Sequence, residues 1–147
     1  MPSLQAVVTF AHLGGFLLGG GFAIAADAAT IRAARGREPR RRRQLAYIHG
    51  IHRLVLAGLG VTLASGVLML AADLETLVVS SIFWAKMTIV VLLLANGGII
   101  VRTESALRAG TEKADREWER MRSAALRSFA LWFAAVLAGT LLVNVGQ

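Results

Sequence analysis

Polar residues are sparse and grouped along this chain. Between the groups run four long apolar stretches, Leu4–Ile31, Leu45–Ala72, Val78–Val101 and Ala124–Val145. Each reaches the ~20 residues a helix needs to cross a hydrocarbon core of about 30 Å. None alternates apolar and polar with period two, and all are rich in Gly, Ala and Leu, which excludes the strands of an outer-membrane barrel. The pattern predicts an all-α integral membrane four-helix bundle, a single domain over 1–147. Its helices are expected at about 4–31, 45–72, 78–101 and 111–145. The last begins before its apolar part. TEKADREWERMRS mixes charge signs and holds Glu112 and Arg116 at i, i+4 spacing, which suits a solvated first section starting near Thr111. Gly110 is the expected break before it, and Pro39 the middle of the loop between helices one and two.

In lipid, helices gain little from burying apolar surface against one another, so close packing needs small residues. His12, Gly15, Gly19, Ala23 and Asp27 follow one face of helix one at 100° per residue. Helix two carries Gly58, Gly60 and Gly66, helix three Gly97 and Gly98, and helix four Ala130, Ala134 and Ala138. Some of these surfaces are expected to build the bundle and others to meet partner helices.

Composition agrees with the membrane assignment. Hydrophobic residues make up 56 % before the 15 Gly are added, against roughly 45–50 % with Gly in a soluble domain. Charge then orients the helices. The net charge is +7, with seven arginines in Arg32–Arg43 and a second basic block over Arg102–Arg127. The remaining connection, Ala71–Ser81, has Asp73 and Glu75 but no base. By the positive-inside rule the two basic connections are cytoplasmic, both termini face the outer, periplasmic side, and the protein is multi-pass in the cell inner membrane. Arg40, Arg41, Arg42 and Arg43 are expected to contact anionic headgroups. No aromatic residues interleave with these arginines as a nucleic-acid stacking surface would need, so nucleic acid is not an expected partner. Tyr47 and Trp84 suit the interfacial belts of opposite faces. Ala23-Ile24-Ala25 resembles a signal cleavage site, but Met1–Phe10 carries no Lys or Arg, and the segment is read as an uncleaved first helix.

The candidate chemistry lies in two layers. The absence of Cys excludes disulfides, thiolate metal sites and covalent haem attachment. No G-x-S-x-G, P-loop or H-E-x-x-H pattern is present. An outer layer holds His12, Met69, Lys86 and Met87. Histidine with thioether is a ligand set for copper(I) or for haem. The alternative is that His12 bonds a neighbouring carbonyl and the methionines pack or face lipid. An inner layer holds Asp27, His49, His52, Arg53, Asn96 and Arg127. There an Asp27–Arg53 ion pair is expected to lock helix one to helix two, and a metal site of His49, His52 and Asp27 is the alternative. His12 and His52 cannot share one haem iron, because antiparallel helices place them roughly 20 Å apart across the core.

FAHLGGFLLGGGF, HRLVLAGLGVTLASGVLML and FWAKMTIVVLLLANGG together resemble the small four-helix membrane proteins related to the copper-resistance D superfamily. The resemblance implies a membrane bundle with a capacity for copper handling, and places His12 and Met87 at issue. The preferred expectation is a non-enzymatic accessory or structural subunit. It would pack through Gly/Ala faces in or beside a larger respiratory or photosynthetic membrane complex, or as a homo-oligomer, and hold no cofactor. The alternatives are a haem b- or copper-binding protein using His12, Met87 and Met69, and a small transporter along His12, Asp27, His49 and His52.

Overall fold

The computed structural model describes residues 2–72 and 74–145. Asp73, named above in the acidic connection, lies outside the described residues. Among those described the chain is all-helical: α1 Pro2–Ala34, α2 Glu38–Ala72, a short α3 Leu74–Val78, α4 Ser81–Arg108 and α5 Ala114–Val145. The four longer helices are all long and apolar enough to cross a membrane.

The boundaries differ from expectation where terminal chemistry extends a helix beyond its oily part. α2 begins at Glu38, so the arginine run is helical and Pro39 stands in its first turn. Proline suits that position because its missing N–H would have no helical acceptor there. α4 is capped by Ser80, whose hydroxyl accepts from the Phe83 N–H at 3.4 Å. It runs on past Val101 to Arg108. Gly110 follows in the left-handed conformation, φ 74°, as the terminating glycine. α5 then starts at Ala114.

α1 packs antiparallel against both α2 and α5, and α4 against α5; α2 and α4 scarcely approach each other. The α1–α2 contact is backbone on backbone. A Cβ on Gly58 would lie 2.7 Å from Gly19 Cα and 2.8 Å from the Gly15 carbonyl oxygen. One on Gly15 would lie 2.8 Å from Thr62 Oγ1. Side chains cannot enter there, which is how small residues bring membrane helices close. The α1–α5 contact uses a large residue against a small one. Trp132 covers Gly20 and meets Phe16 edge-on, ring centroids 5.2 Å apart. Ala23, Leu93 and Ala135 complete that cluster. A second cluster at the arginine-rich end joins Ala33 and Ala34 to Leu107, Trp118 and Met121.

The buried line of α5 therefore passes through Trp118, Met121, Ala125, Ser128, Trp132 and Ala135. Of the expected Ala130, Ala134 and Ala138 stripe, only Ala138 is fully buried, Ala130 being exposed. Large apolar residues cover much of the outside, including Leu56, Val67, Leu92 and Leu137, as a lipid-facing surface requires.

Candidate functional site

Where the helices approach the arginine-rich end, a belt of polar side chains crosses the bundle. On α1 and α2, Gln44 Nε2 donates to Thr30 Oγ1 at 3.2 Å and to the Ala26 carbonyl at 3.4 Å. On α4 and α5, Asn96 Nδ2 donates to the Ala124 carbonyl at 2.8 Å, and its Oδ1 accepts from Arg127 Nε at 3.1 Å. Gln44, Thr30 and Asn96 are all buried. Each bond therefore satisfies a group that lipid could not. Asp27 stands between these pairs, facing Ser128 of α5. It is buried, and its Oδ2 has no hydrogen-bond partner among the described residues.

A second cluster joins α2 to α4, the two helices that otherwise scarcely meet. Its centre is Glu104, a buried carboxylate. Its Oε2 faces His52 Nδ1 at 3.2 Å, and its Oε1 accepts from Arg108 Nε at 2.8 Å and faces His49 Nδ1 at 3.9 Å. Arg108 also donates to the Leu45 carbonyl. Glu104 did not emerge from the sequence. Two signals point to it in retrospect: its i, i+4 spacing to Arg108, and its place on the same helical face as Leu93 and Leu107.

This arrangement corrects two expectations. No Asp27–Arg53 ion pair forms. Ile51 faces inward on α2, and Arg53, two residues on, points about 200° away and is exposed. Nor are His49, His52 and Asp27 assembled into one ligand set. The histidines face Glu104 while Asp27 faces Ser128, and no group of three or more His, Asp or Glu among the described residues is arranged to hold a metal.

At the other end, His12 Nδ1 donates to the Thr62 carbonyl at 3.0 Å, with Ser65 Oγ 3.1 Å away. Gly66 makes room for the ring, since a Cβ there would lie 3.3 Å from His12 Cε1. The hydrogen bonds of His12 thus tie α1 to α2. Lys86 reaches α5, its Nζ beside Gly139. Met87 is half-buried and Met69 exposed on the rim of α2. Tyr47 and Trp84 are exposed at opposite ends, and Trp84 Nε1 donates to the Val78 carbonyl at 2.9 Å.

The arginine run is not uniform. Arg41 turns inward, donating to Asp115 Oδ1 at 2.6 Å and to the Ala34 carbonyl at 2.9 Å, with its guanidinium 5.5 Å from the Trp118 ring centre. It is a structural clasp between α1, α2 and α5, and not the free headgroup contact expected. Arg42 pairs with Glu38 at 3.3 Å. Arg40 and Arg43 remain exposed.

No family model, curated protein or solved structure matches the chain. None of these comparisons links the chain to the copper-resistance D superfamily.

Proposed function

We propose that this protein is a non-enzymatic accessory subunit that packs against the helices of a larger membrane complex, respiratory or photosynthetic in kind. In this reading it lies in the cell inner membrane, with its arginine-rich end cytoplasmic and both termini outside.

The observation that carries the reading is a division among the glycines. Gly15 and Gly58 hold the neighbouring helix too close for a side chain, and Gly19 and Gly20 leave room for one only if the neighbour gives by a few tenths of an ångström. Gly60, Gly97 and Gly98 have nothing within 4 Å of where a Cβ would stand. A helical glycine is about 1 kcal/mol less favourable than alanine. These three glycines therefore weaken α2 and α4 with no return inside the bundle. Glycine on an open membrane-helix face lets another backbone come close. Gly97 lies two helical turns from Glu104 on the same face of α4, and Gly60 lies on the His49 face of α2. Both sit beside the loosely joined α2–α4 seam, where a partner helix would find small residues on two sides.

Mild-detergent extraction followed by native electrophoresis tests the proposal. Co-migration with other membrane proteins, lost in Gly60→Leu or Gly97→Leu, is expected. A lone 15.7 kDa chain, as a monomer or small homo-oligomer, would sink it.

A second reading is favoured by His12. Its Nδ1–H is committed to a backbone carbonyl, which leaves Nε2 as the lone-pair nitrogen, the arrangement usual in ligating histidines. Haem b or copper is the ligand this would suit, with Met69 or Met87 as the thioether. Absorption spectra of the oxidised and dithionite-reduced protein, with metal analysis of wild type and His12→Ala, decide it. Equal, negligible metal and no Soret band would end that reading.

A further inference from the structure

Of the seven arginines of Arg32–Arg43, six fall into two groups with different surroundings. Arg41 and Arg42 are neutralised within the chain by Asp115 and Glu38. Arg35, Arg37, Arg40 and Arg43 make no ion pair among the described residues. These four, with Gly36 and Pro39, line one open depression of about 350 Å³ at the tip of the α1–α2 hairpin. No carboxylate lines it. Backbone bonds close the turn, Gly36 N–H donating to the Ala33 carbonyl at 2.8 Å and Arg40 N–H to the Arg37 carbonyl at 3.0 Å. Gly36 also gives Arg40 its path. A Cβ at position 36 would lie 2.8 Å from Arg40 Cδ, so the arginine stem folds back over the turn.

Four cations around one hollow repel one another unless an anion lies between them. Guanidinium groups pair bidentately with phosphate oxygens, which makes arginine the residue suited to a phosphodiester. The depression is open, and it sits at the hairpin tip where α1 ends and α2 begins, two helices long enough to cross a membrane. Basic pockets of this kind at the ends of membrane helices suit lipids with more than one phosphate.

We propose that this depression binds phosphodiester anions, and that its occupant is the headgroup of an anionic lipid carrying two phosphates, of the diphosphatidylglycerol class. Arg40 and Arg43 from the start of α2, with Arg35 and Arg37 from the turn before it, supply the guanidinium groups. The site rests on the helices crossing a membrane and not on the accessory role. A chain that migrates alone on a native gel can still hold this lipid.

The test titrates lipids into the full-length chain in detergent and reads retention by native mass spectrometry. Diphosphatidylglycerol is expected to bind about tenfold or more tighter than phosphatidylglycerol or phosphatidylcholine. Arg40→Gln/Arg43→Gln should weaken it about tenfold or more. Arg102→Gln/Arg116→Gln removes the same charge from exposed, unpaired positions in the other basic block and should leave binding within about twofold. Equal losses in the two double variants would mean diffuse attraction to net charge and overturn the site. So would a wild type that does not tell the lipids apart. Displacement of the lipid by millimolar inorganic phosphate would make the depression a free-phosphate site and overturn the lipid assignment. Arg35→Gln alone, at an exposed position, provides the same reading if the double variant does not fold: weaker binding supports the site, and unchanged binding counts against it.

Discussion

Replacing Gly58 with alanine should force α1 and α2 apart, and its size follows from the contact between them. The new methyl carbon would stand 2.7 Å from Gly19 Cα and 2.8 Å from the Gly15 oxygen. A van der Waals contact needs about 3.5–4.0 Å. The neighbours are backbone, so no side chain can swing aside, and the helices must separate or shift along each other. Overpacking of this kind costs about 1–3 kcal/mol. Alanine returns roughly 0.5–1 kcal/mol through its better helix propensity. The net expectation is a loss of about 0–2.5 kcal/mol, and of about 1–3 kcal/mol relative to an alanine that meets no neighbour. Gly60→Ala is the matched control two positions along, with nothing within 4 Å of its Cβ. It meets only the propensity gain and should be neutral or slightly stabilising. Reversible unfolding by SDS titration from mixed micelles measures both. Equal stability of the two variants, or a more stable Gly58→Ala, would refute the backbone-contact account of the α1–α2 pair.

Asn96→Ala removes the side-chain donor to the Ala124 carbonyl, which keeps its helical bond, and the acceptor of Arg127; the same titration should show a loss of about 0.5–1.5 kcal/mol, and an unchanged midpoint would contradict the buried bonds. A double-mutant cycle on His52→Ala and Glu104→Gln should give a coupling of about 0.5–3 kcal/mol, whereas additive effects would mean the α2–α4 contact is not made through that pair. Arg53→Ala should change stability by less than about 0.5 kcal/mol, as an exposed, unpaired residue; a large loss in the melting curve would restore an ion pair for it. Asp27→Asn keeps the shape and removes a carboxylate whose Oδ2 has no partner, so its melting temperature should equal or exceed that of the wild type, and a marked drop would show that a hidden cation or donor engages the acid.

The helices were legible because lipid imposes one pattern, long apolar runs ended by charge, and the small face of α1 was legible because Gly15, Gly19, Ala23 and Asp27 repeat at helical spacing. The belt was partly legible. Asp27, Asn96 and Arg127 stood out as polar residues inside oily runs, but Asp27 faces Ser128 and Asn96 donates to the Ala124 carbonyl, and neither a lone serine nor a backbone oxygen announces itself. Arg53 misled because its depth matched Asp27 while its direction did not. Depth follows from counting residues, but direction depends on which face α1 covers, and Gln44, Ile48, Ile51 and Gly58 settle that only once the helices are packed. Glu104 was hidden in a segment that looked merely charged. The start of α2 was obscured by its arginines, although Pro39 is as much a first-turn residue as a loop residue.

The Gly15–Gly58 contact also bears on the order in which the protein is made. The glycine contact and the hydrogen bonds that bring α1 and α2 together, from His12 on Thr62 to Gln44 on Thr30, are encoded before Ala72. A hairpin of two spans can therefore close while the rest of the chain is still being synthesised. α5 must then return to α1 from the far end of the sequence, seating Trp132 on Gly20 and bringing α4 with it. The second half would then join a pair already formed, and a ribosome stalled after the first half is expected to leave a paired hairpin instead of two loose spans.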